Sequence, residues 1–433
     1  MRTFSPFICQ FHYYLLTLQN RNRNNEDREM KIAILTSGIL PVPAVQGGAV
    51  ENLIDFYLEH NNQHRLHDIT IYSVYHPDVE NHPAIQSDVN HYEYFHVDTW
   101  WDKIMKRVHH FLHKEEYYHY TIEYFFDLVF RKIKKSQYDI IILENRPYFA
   151  LKMIGNTNAR IVCHQHTDTL STETFKHKEV YNSISKFITV SDFIANRIKT
   201  INKQDTKCQT VHNGIDLKAF SLAIDSNISR EEIGLKTSDF VVIYSGRIMP
   251  KKGITELIEA ISILKDEPNI KLLIIGSSFY ANAQKEDNFI KSLKEKAQTV
   301  NDKIIFTGYI PYTQIPAYLK LADVAAIPSL LNDAFPTTVL EAQAMGLPII
   351  TTNYGGIPEQ ICKENAIILT QKSNISLHLA NAIKSIYKNH DRQDEMKAVS
   401  LQRAKLFRKE KYAQEFFHAI VESNNKHKNS KLI

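Results

Sequence analysis

The chain has 433 residues, 43% apolar and 23% charged, which are proportions of a folded globular protein and not of a disordered one. A length prior of ~150 residues per domain predicts two or three domains, and a net charge of +4 is too small to point to nucleic acid. No run of apolar residues is long enough to predict a membrane span. The four cysteines (Cys9, Cys163, Cys208, Cys362) form no CxxC pair, which argues against a disulfide framework or zinc site and fits a reducing cytoplasm.

Residues 1–29 read differently from the rest. The aromatic stretch Phe4–Leu18 is broken by Gln10 and His12, lacks a small-residue cleavage site, and is followed by the polar run Asn20–Arg28. It is therefore expected to be a disordered leader, not a signal peptide, with a functional start at Met30; a short amphipathic membrane anchor is the alternative. From Lys31 the pattern is strand, turn, helix, repeated. Continuous Ile/Val-rich runs at Ile32–Leu35, Ile140–Leu143, Ile161–His164 and Phe187–Val190 predict strands buried on both faces. A second series predicts strands at Phe240–Tyr244, Leu272–Ile275, Ile304–Phe306, Val324–Ile327 and Ile349–Thr351, with helices over Thr255–Leu264 and Val339–Met345. Alternating β and α predicts parallel sheets with helices on both faces, here as two Rossmann-like domains with their junction in the polar stretch Leu217–Thr237. Ligands of such sheets bind beyond the carboxyl ends of the strands, so function is expected just after them. Between the first strands lies Trp100–Lys135, rich in Trp, Phe and Tyr and in basic residues from Lys103 to Lys135. It reads either as an anionic-membrane contact or as helices packed on the sheet by their aromatic faces.

Glycine is scarce: 13 of 433 residues, about 3% against a typical ~7%. Ten of them (Gly47, Gly48, Gly214, Gly246, Gly253, Gly276, Gly308, Gly346, Gly355, Gly356) fall in segments that stand out on other grounds. GxGxxG, the P-loop, DxD, HExxH and GxSxG are all missing, so dinucleotide, NTPase, metal-diphosphate, zinc-hydrolase and serine-hydrolase readings lose support.

Four segments carry chemistry. In Pro328–Glu359, Pro336 suits the first turn of a helix, and Thr337 and Thr338 offer free backbone N–H groups where a phosphate binds well. Asp333 precedes that helix and Glu341 lies eight residues later within it; carboxylates accept strong hydrogen bonds from sugar hydroxyls. The alternative is an acidic cap region followed by a solvated Glu. Next, Tyr244-Ser245-Gly246-Arg247 and Lys251-Lys252-Gly253 place Arg247 and Lys252 where they could converge on a diphosphate, or simply be solvated. Third, Gly47 and Gly48 shortly after the first strand allow a loop to approach a ligand closely. Last, Cys163-His164-Gln165-His166-Thr167-Asp168 holds two histidines that could ligate a metal, but no Cys or third His stands at a suitable spacing; structural histidines at a strand end are the alternative.

Pro328–Glu359 resembles the E-x7-E region of retaining glycosyltransferases with the GT-B fold, family 4, the wider match including Phe335, Leu340-Glu341-Ala342, Gly346-Leu347-Pro348 and Gly355-Gly356. Weaker matches, including Thr189-Val190-Ser191, His212-Asn213-Gly214, Ile275-Gly276-Ser277 and Thr307-Gly308-Tyr309, carry it from Lys31 to about residue 400. The resemblance implies that Glu341 binds the donor ribose and Asp333 the donor sugar, although the family usually has Glu at the latter and often Gly in place of Pro336. It implies that Arg247 and Lys252 hold the donor phosphates, that the Gly47-Gly48 amides face donor phosphate and reacting sugar, and that His166, or secondarily His164, lies in the cleft near donor sugar and acceptor, as in spore-coat polysaccharide members. The expected organisation is a leader (1–29), an acceptor domain (30–217), a donor-nucleotide domain (218–410) and a tail (411–433) crossing back to the first domain. The implied activity is metal-independent transfer, with retention, from a nucleoside diphosphate sugar, expected to be a UDP-sugar, to a glycan or lipid-linked acceptor, in the cytoplasm or on the inner face of the plasma membrane. Two other classes remain: a nucleotide-sugar epimerase or pyridoxal-phosphate phosphorylase on the same architecture, or a non-catalytic binding subunit.

Overall fold

A computed structural model describes residues 29–429 except 98, 113–119, 227, 279–287 and 372; residues 1–28 of the expected leader lie outside it. Two parallel sheets face each other. The first contains β1 (Lys31–Leu35), β2 (Asp68–Val74), β3 (Asn90–Phe95), β4 (Ile140–Glu144), β5 (Arg160–Gln165), β6 (Lys186–Thr189) and β7 (Cys208–Thr210), in the order β3-β2-β1-β4-β5-β6-β7. The second contains β8 (Phe240–Ser245), β9 (Ile270–Ile275), β10 (Ile304–Gly308), β11 (Val324–Ile327), β12 (Ile349–Thr352) and β13 (Ala366–Leu369), in the order β10-β9-β8-β11-β12-β13. Each sheet is therefore doubly wound, reversing direction between β1 and β4 and between β8 and β11.

The nine predicted strands are present, each shifted by at most two residues at an end. Four others lacked the signal of burial on both faces. β3 and β7 are partly exposed edge strands (NHYEYF, CQT), β2 alternates polar and apolar residues, and β13 is only four residues long. The helices that matter for the site are α1 (Ala49–His64), α2 (Trp100–Leu112), α3 (Tyr120–Ile133), α4 (Ile254–Ile263), α5 (Thr337–Ala344) and α6 (Lys409–Asn429).

Alternation along the strands feeds separate cores. Ile32, Ile34, Ile69, Ile71, Ile140 and Ile142 pack with α1 and with Tyr412, Phe416, Phe417 and Ile420 of α6. Ala33, Leu35, Ile141 and Leu143 pack on the opposite face, where Phe125, Phe126 and Val129 of α3 close the core. That second cluster runs on through Ile215, Phe220, Phe335 and Phe407 to Val241, Ile243, Leu273 and Ile275 of the other sheet, so the two domains share a core. The aromatic face of α3 is thus internal. α2 differs: Trp100 and Trp101 are 65% and 67% exposed.

The domains are also fastened by polar contacts. Glu359 accepts hydrogen bonds from the backbone N–H of Asp192 and Phe193, both at 2.8 Å, at the start of a first-domain helix. Asn213 Nδ2 donates to the Phe335 carbonyl at 2.8 Å. The chain crosses between domains twice, side by side: Ile215 N–H donates to Phe407 O and Lys409 N–H to Ile215 O, at 2.8 and 2.9 Å. A side chain at Gly214 would meet the Tyr412 Cβ at 2.8 Å, so glycine lets the two crossings touch. α6 then packs on α1, the Tyr57 and Phe416 rings stacked with centroids 4.2 Å apart.

Candidate functional site

The carboxyl ends of both sheets border one cleft with about 750 Å³ of open space. The first domain contributes Gln46, Gly47, Gly48, Ala49 and Asn52; the second contributes Ser245–Arg247 at the end of β8, Gly276 and Ser277 after β9, Tyr309 and Ile310 after β10, and Thr337, Thr338 and Glu341 of α5. The glycines earn their places by geometry. Gly276 has φ +139°, and a Cβ there would lie 1.9 Å from the Gly246 carbonyl, so the loops after β8 and β9 can touch only without it. Gly48 has φ +102° and would collide with the Glu51 carboxyl.

Pro336 is the N-cap of α5 and not, as its sequence context predicts, part of its first turn. The helix still opens on Thr337 and Thr338, both at the cleft wall, and the first amides of a helix have no partners within it. Glu341 is only 4% exposed; burial pushes its carboxyl up to about 7, partly opposed by a hydrogen bond from Thr337. Arg247 and Glu341 thus line the same cleft as a helix N-terminus. Lys252 and Asp333 do not line it. Lys252 Nζ holds both Asp333 oxygens, at 2.6 and 2.8 Å, so in this structure the two predicted phosphate-binding bases do not converge. The Asp333 loop is set by Gly355 and Gly356, where added Cβ atoms would lie 2.1 Å from the Asp333 carbonyl and 1.9 Å from that of Ala334.

His164 and His166 lie behind the cleft wall. They are 0% and 7% exposed, and neither is among the cleft-lining residues. The third donor that no Cys or His supplied in the sequence is Glu144, which pairs with His164 across β4 and β5. Its carboxylate meets His166 Nε2 at 2.9 Å, His164 Nδ1 at 3.1 Å and the Tyr57 hydroxyl at 2.9 Å. Burial alone would raise the Glu144 carboxyl, but the two imidazoles bring it well below the usual carboxylate range. Burial pushes His166 down to about 4. A carboxylate acceptor assigns the proton of His166 to Nε2 and that of His164 to Nδ1, which leaves His164 Nε2 buried without a partner. The three groups lie close enough to hold a metal ion, and two imidazoles with a carboxylate suit a divalent transition metal. As they stand, the carboxylate is shared by hydrogen bonds from both imidazoles, and His164 Nε2 is the ring nitrogen left over.

The family profile "Glycosyl transferases group 1" matches residues 225–403, and "Glycosyltransferase Family 4" matches residues 63–219. Spore coat protein SA of Bacillus subtilis is 27% identical over 346 residues, covering 77% of this chain and 83% of that one. The lipopolysaccharide 1,2-N-acetylglucosaminetransferase of Salmonella typhimurium is 26% identical over 234 residues, 53% of this chain and 58% of its own. The chain belongs to the family 4 glycosyltransferases. Anabaena HepE, crystallised with UDP and glucose, shares the GT-B fold of this glycosyltransferase with a TM-score of 0.68 at 19% identity, over 90% of this chain and 99% of that one.

Three features of the glycosyltransferase's site were not assigned from sequence. Tyr309 and Ile310 form an apolar wall of the cleft; they follow β10, a position the strand pattern marks without revealing what the side chains face. Glu144 ends a predicted strand, and only cross-strand register shows that it meets His164. Glu51, beneath Gly48, is 5% exposed; burial lifts its carboxyl to about 7, against hydrogen bonds from its own backbone and Ser37.

Proposed function

We propose that the glycosyltransferase moves a sugar from a UDP-sugar to a hydroxyl of a glycan or glycolipid, with retention of configuration and without a metal, in the synthesis of a cell-surface polysaccharide. The observation that carries this reading is the shared cleft, where Arg247, the α5 amides and the Gly47-Gly48 loop surround one volume with Glu341 in its wall. A diphosphate fits the cation and the amides, the ribose hydroxyls fit the Glu341 carboxylate, and a flat base fits the Tyr309–Ile310 wall. The UDP bound to HepE and the N-acetylglucosamine named for the Salmonella relative support this ligand class.

The acceptor oxygen forms a bond to the anomeric carbon as the bond from that carbon to the diphosphate oxygen breaks. The electron pair leaves with the diphosphate, and the acceptor proton goes to the departing phosphate oxygen. Arg247 and the amides stabilise the growing charge, the kind of term that dominates many enzymatic rate enhancements. Lys252 joins them once the donor displaces it from Asp333, which is then released toward the donor sugar. His166, held by Glu144, is the first-domain histidine this reading assigns to the neighbourhood of donor sugar and acceptor.

Titration with UDP, GDP, ADP and NAD, read by melting temperature, tests the donor site. UDP should stabilise the wild type and not the Arg247→Ala/Lys252→Ala variant. Stabilisation by NAD alone, or an unchanged response in the variant, would overturn the assignment. Turnover should survive EDTA, and the product anomer read by NMR should match that of the donor.

Association with a membrane surface is part of the same reading. No helix among the described residues is long and apolar enough to cross a membrane, but α2 exposes Trp100, Trp101 and Met105 beside exposed Lys103 and Arg107. Anionic vesicles should retain the protein at low salt, and Trp100→Ser/Trp101→Ser should release it; equal retention of both would sink the idea.

A further inference from the structure

The first sheet has its own switch point. The strand order reverses between β1 and β4, and the carboxyl ends at such a reversal are the position where doubly wound sheets bind ligands. The loop after β1 supplies Ser37, and the loop after β4 supplies Arg146, whose Nε donates to the Ser37 carbonyl at 3.2 Å. Ser37 Oγ lies 3.4 Å from Glu51 Oε1, and Glu51 lies directly beneath Gly48 at the cleft wall. Arg146 therefore stands just behind the proposed donor pocket, on the first-domain side.

Among the described residues its guanidinium has no ion pair: the Nε contact is its one hydrogen bond, neither Nη donates, and no carboxylate lies within ion-pair distance. Glu123, whose charge is felt by Arg146, is bound to Lys152 at 3.3 Å; Glu51, the other such carboxyl, is lifted toward its neutral form. Burial lowers the Arg146 pKa, yet a guanidinium stays charged at neutral pH. The residue is half-buried and its Nη atoms reach solvent, so the charge is accessible to a ligand, and a purely structural link to one carbonyl does not require a charge. The backbone beside it is fixed, since Asn145 Oδ1 accepts from His166 N–H and from the Thr167 hydroxyl, at 3.1 and 2.8 Å. The result is a planar two-pronged donor held at a switch point, the geometry that recognises an oxyanion.

We propose that Arg146 is the anion-binding residue of the acceptor pocket, so that the acceptor of this glycosyltransferase carries a carboxylate or phosphate group. The assignment rests on the transferase reading above. It makes Arg146 a specificity-determining residue: the anion anchors the acceptor, and the hydroxyl to be glycosylated is presented from that anchor toward the donor.

Calorimetric titrations with methyl glucuronide and with glycerol phosphate, against methyl glucoside and glycerol as their neutral twins, test it with UDP saturating the donor site. At least one anion should bind more tightly than its twin, and which one does so distinguishes a uronate from a phosphate. Arg146→Gln should weaken that anion on the order of tenfold or more, with UDP affinity within about twofold of wild type. Arg146→Lys, which keeps charge but loses the fork, should fall between the two and serves if the Gln variant does not fold. The proposal fails if neither anion outbinds its twin, or if Arg146→Gln binds it as wild type does. Should UDP itself fail to bind, the donor reading falls separately. The anion titrations are then decided by the same two outcomes in the Arg247→Ala/Lys252→Ala background, where the second-domain cations are gone.

Discussion

Glu341 carries a testable conflict between stability and binding. Its carboxyl is lifted from 4.5 to about 7 by burial. At ~1.36 kcal/mol per pH unit, that displacement corresponds to roughly 3 kcal/mol of native-state destabilisation when the group is ionised. The sign follows from the order of proton release. Below pH ~4.5 both states are protonated and nothing is lost; between 4.5 and about 7 the unfolded chain ionises first and stability falls; above about 7 the loss is complete. Glu341→Gln keeps the shape and removes the titration. Relative to wild type, the variant should gain roughly 2–3 kcal/mol between pH 5 and pH 8, which is ~5–10 °C in melting temperature for a domain of this size. The assay is a melting series on both proteins across that range without nucleotide. UDP affinity should move the other way, because a hydrogen bond to an ionised group contributes ~1.5–3 kcal/mol, so the variant should bind UDP about 10–150 times more weakly at pH 8. A melting-temperature gap independent of pH would refute the burial argument, and unchanged UDP affinity would refute the ribose role.

Asp333→Asn should leave UDP binding intact or tighter, because Lys252 is released from its ion pair, while transfer falls about a hundredfold through lost positioning of the sugar; equal losses in binding and transfer would count against this division. Glu144→Gln should destabilise the first domain by about 3 kcal/mol, since one carboxylate serves two imidazoles and a tyrosine hydroxyl. Its depressed pKa means that this stability is present above pH ~4.5 and is lost on acidification, so melting curves of wild type and variant should converge in acid. Gly276→Ala should impair UDP binding and stability together, because its Cβ would strike the Gly246 carbonyl. Gly47→Ala, where nothing lies within 4 Å, should cost only the ~1–2 kcal/mol of its positive φ; the reverse ranking in thermal unfolding would count against the steric account.

Much of this was legible in the chain. Strands buried on both faces announce themselves as unbroken Ile/Val runs, and the scarce glycines mark close approaches because few others are present to obscure them. Helix α5 was readable because Pro336 and Thr337 punctuate it, although the exact start was not. What could not be read was pairing between distant segments. That Lys252 would rest on Asp333, 81 residues away, or that Glu144 would meet His164 rather than solvent, follows from strand register and loop approach, which no local pattern encodes. The histidines illustrate the limit. The resemblance to spore-coat polysaccharide members implied a place in the cleft, whereas the Glu144 carboxylate on the neighbouring strand draws them beneath its wall.

The docking of α6 on α1 has a consequence for the order of assembly during synthesis. The first sheet, complete once residue 210 has left the ribosome, still has a bare apolar face around Tyr57, because the rings that cover it belong to residues 412–420. Nearly half the chain must still be translated after that point before the face is closed. A nascent chain of this glycosyltransferase therefore cannot finish its first domain first, as most multidomain chains do. The second domain can seal its outer core from its own residues, so it is the last helix, and not the first strand, that brings the amino-terminal half to its native state.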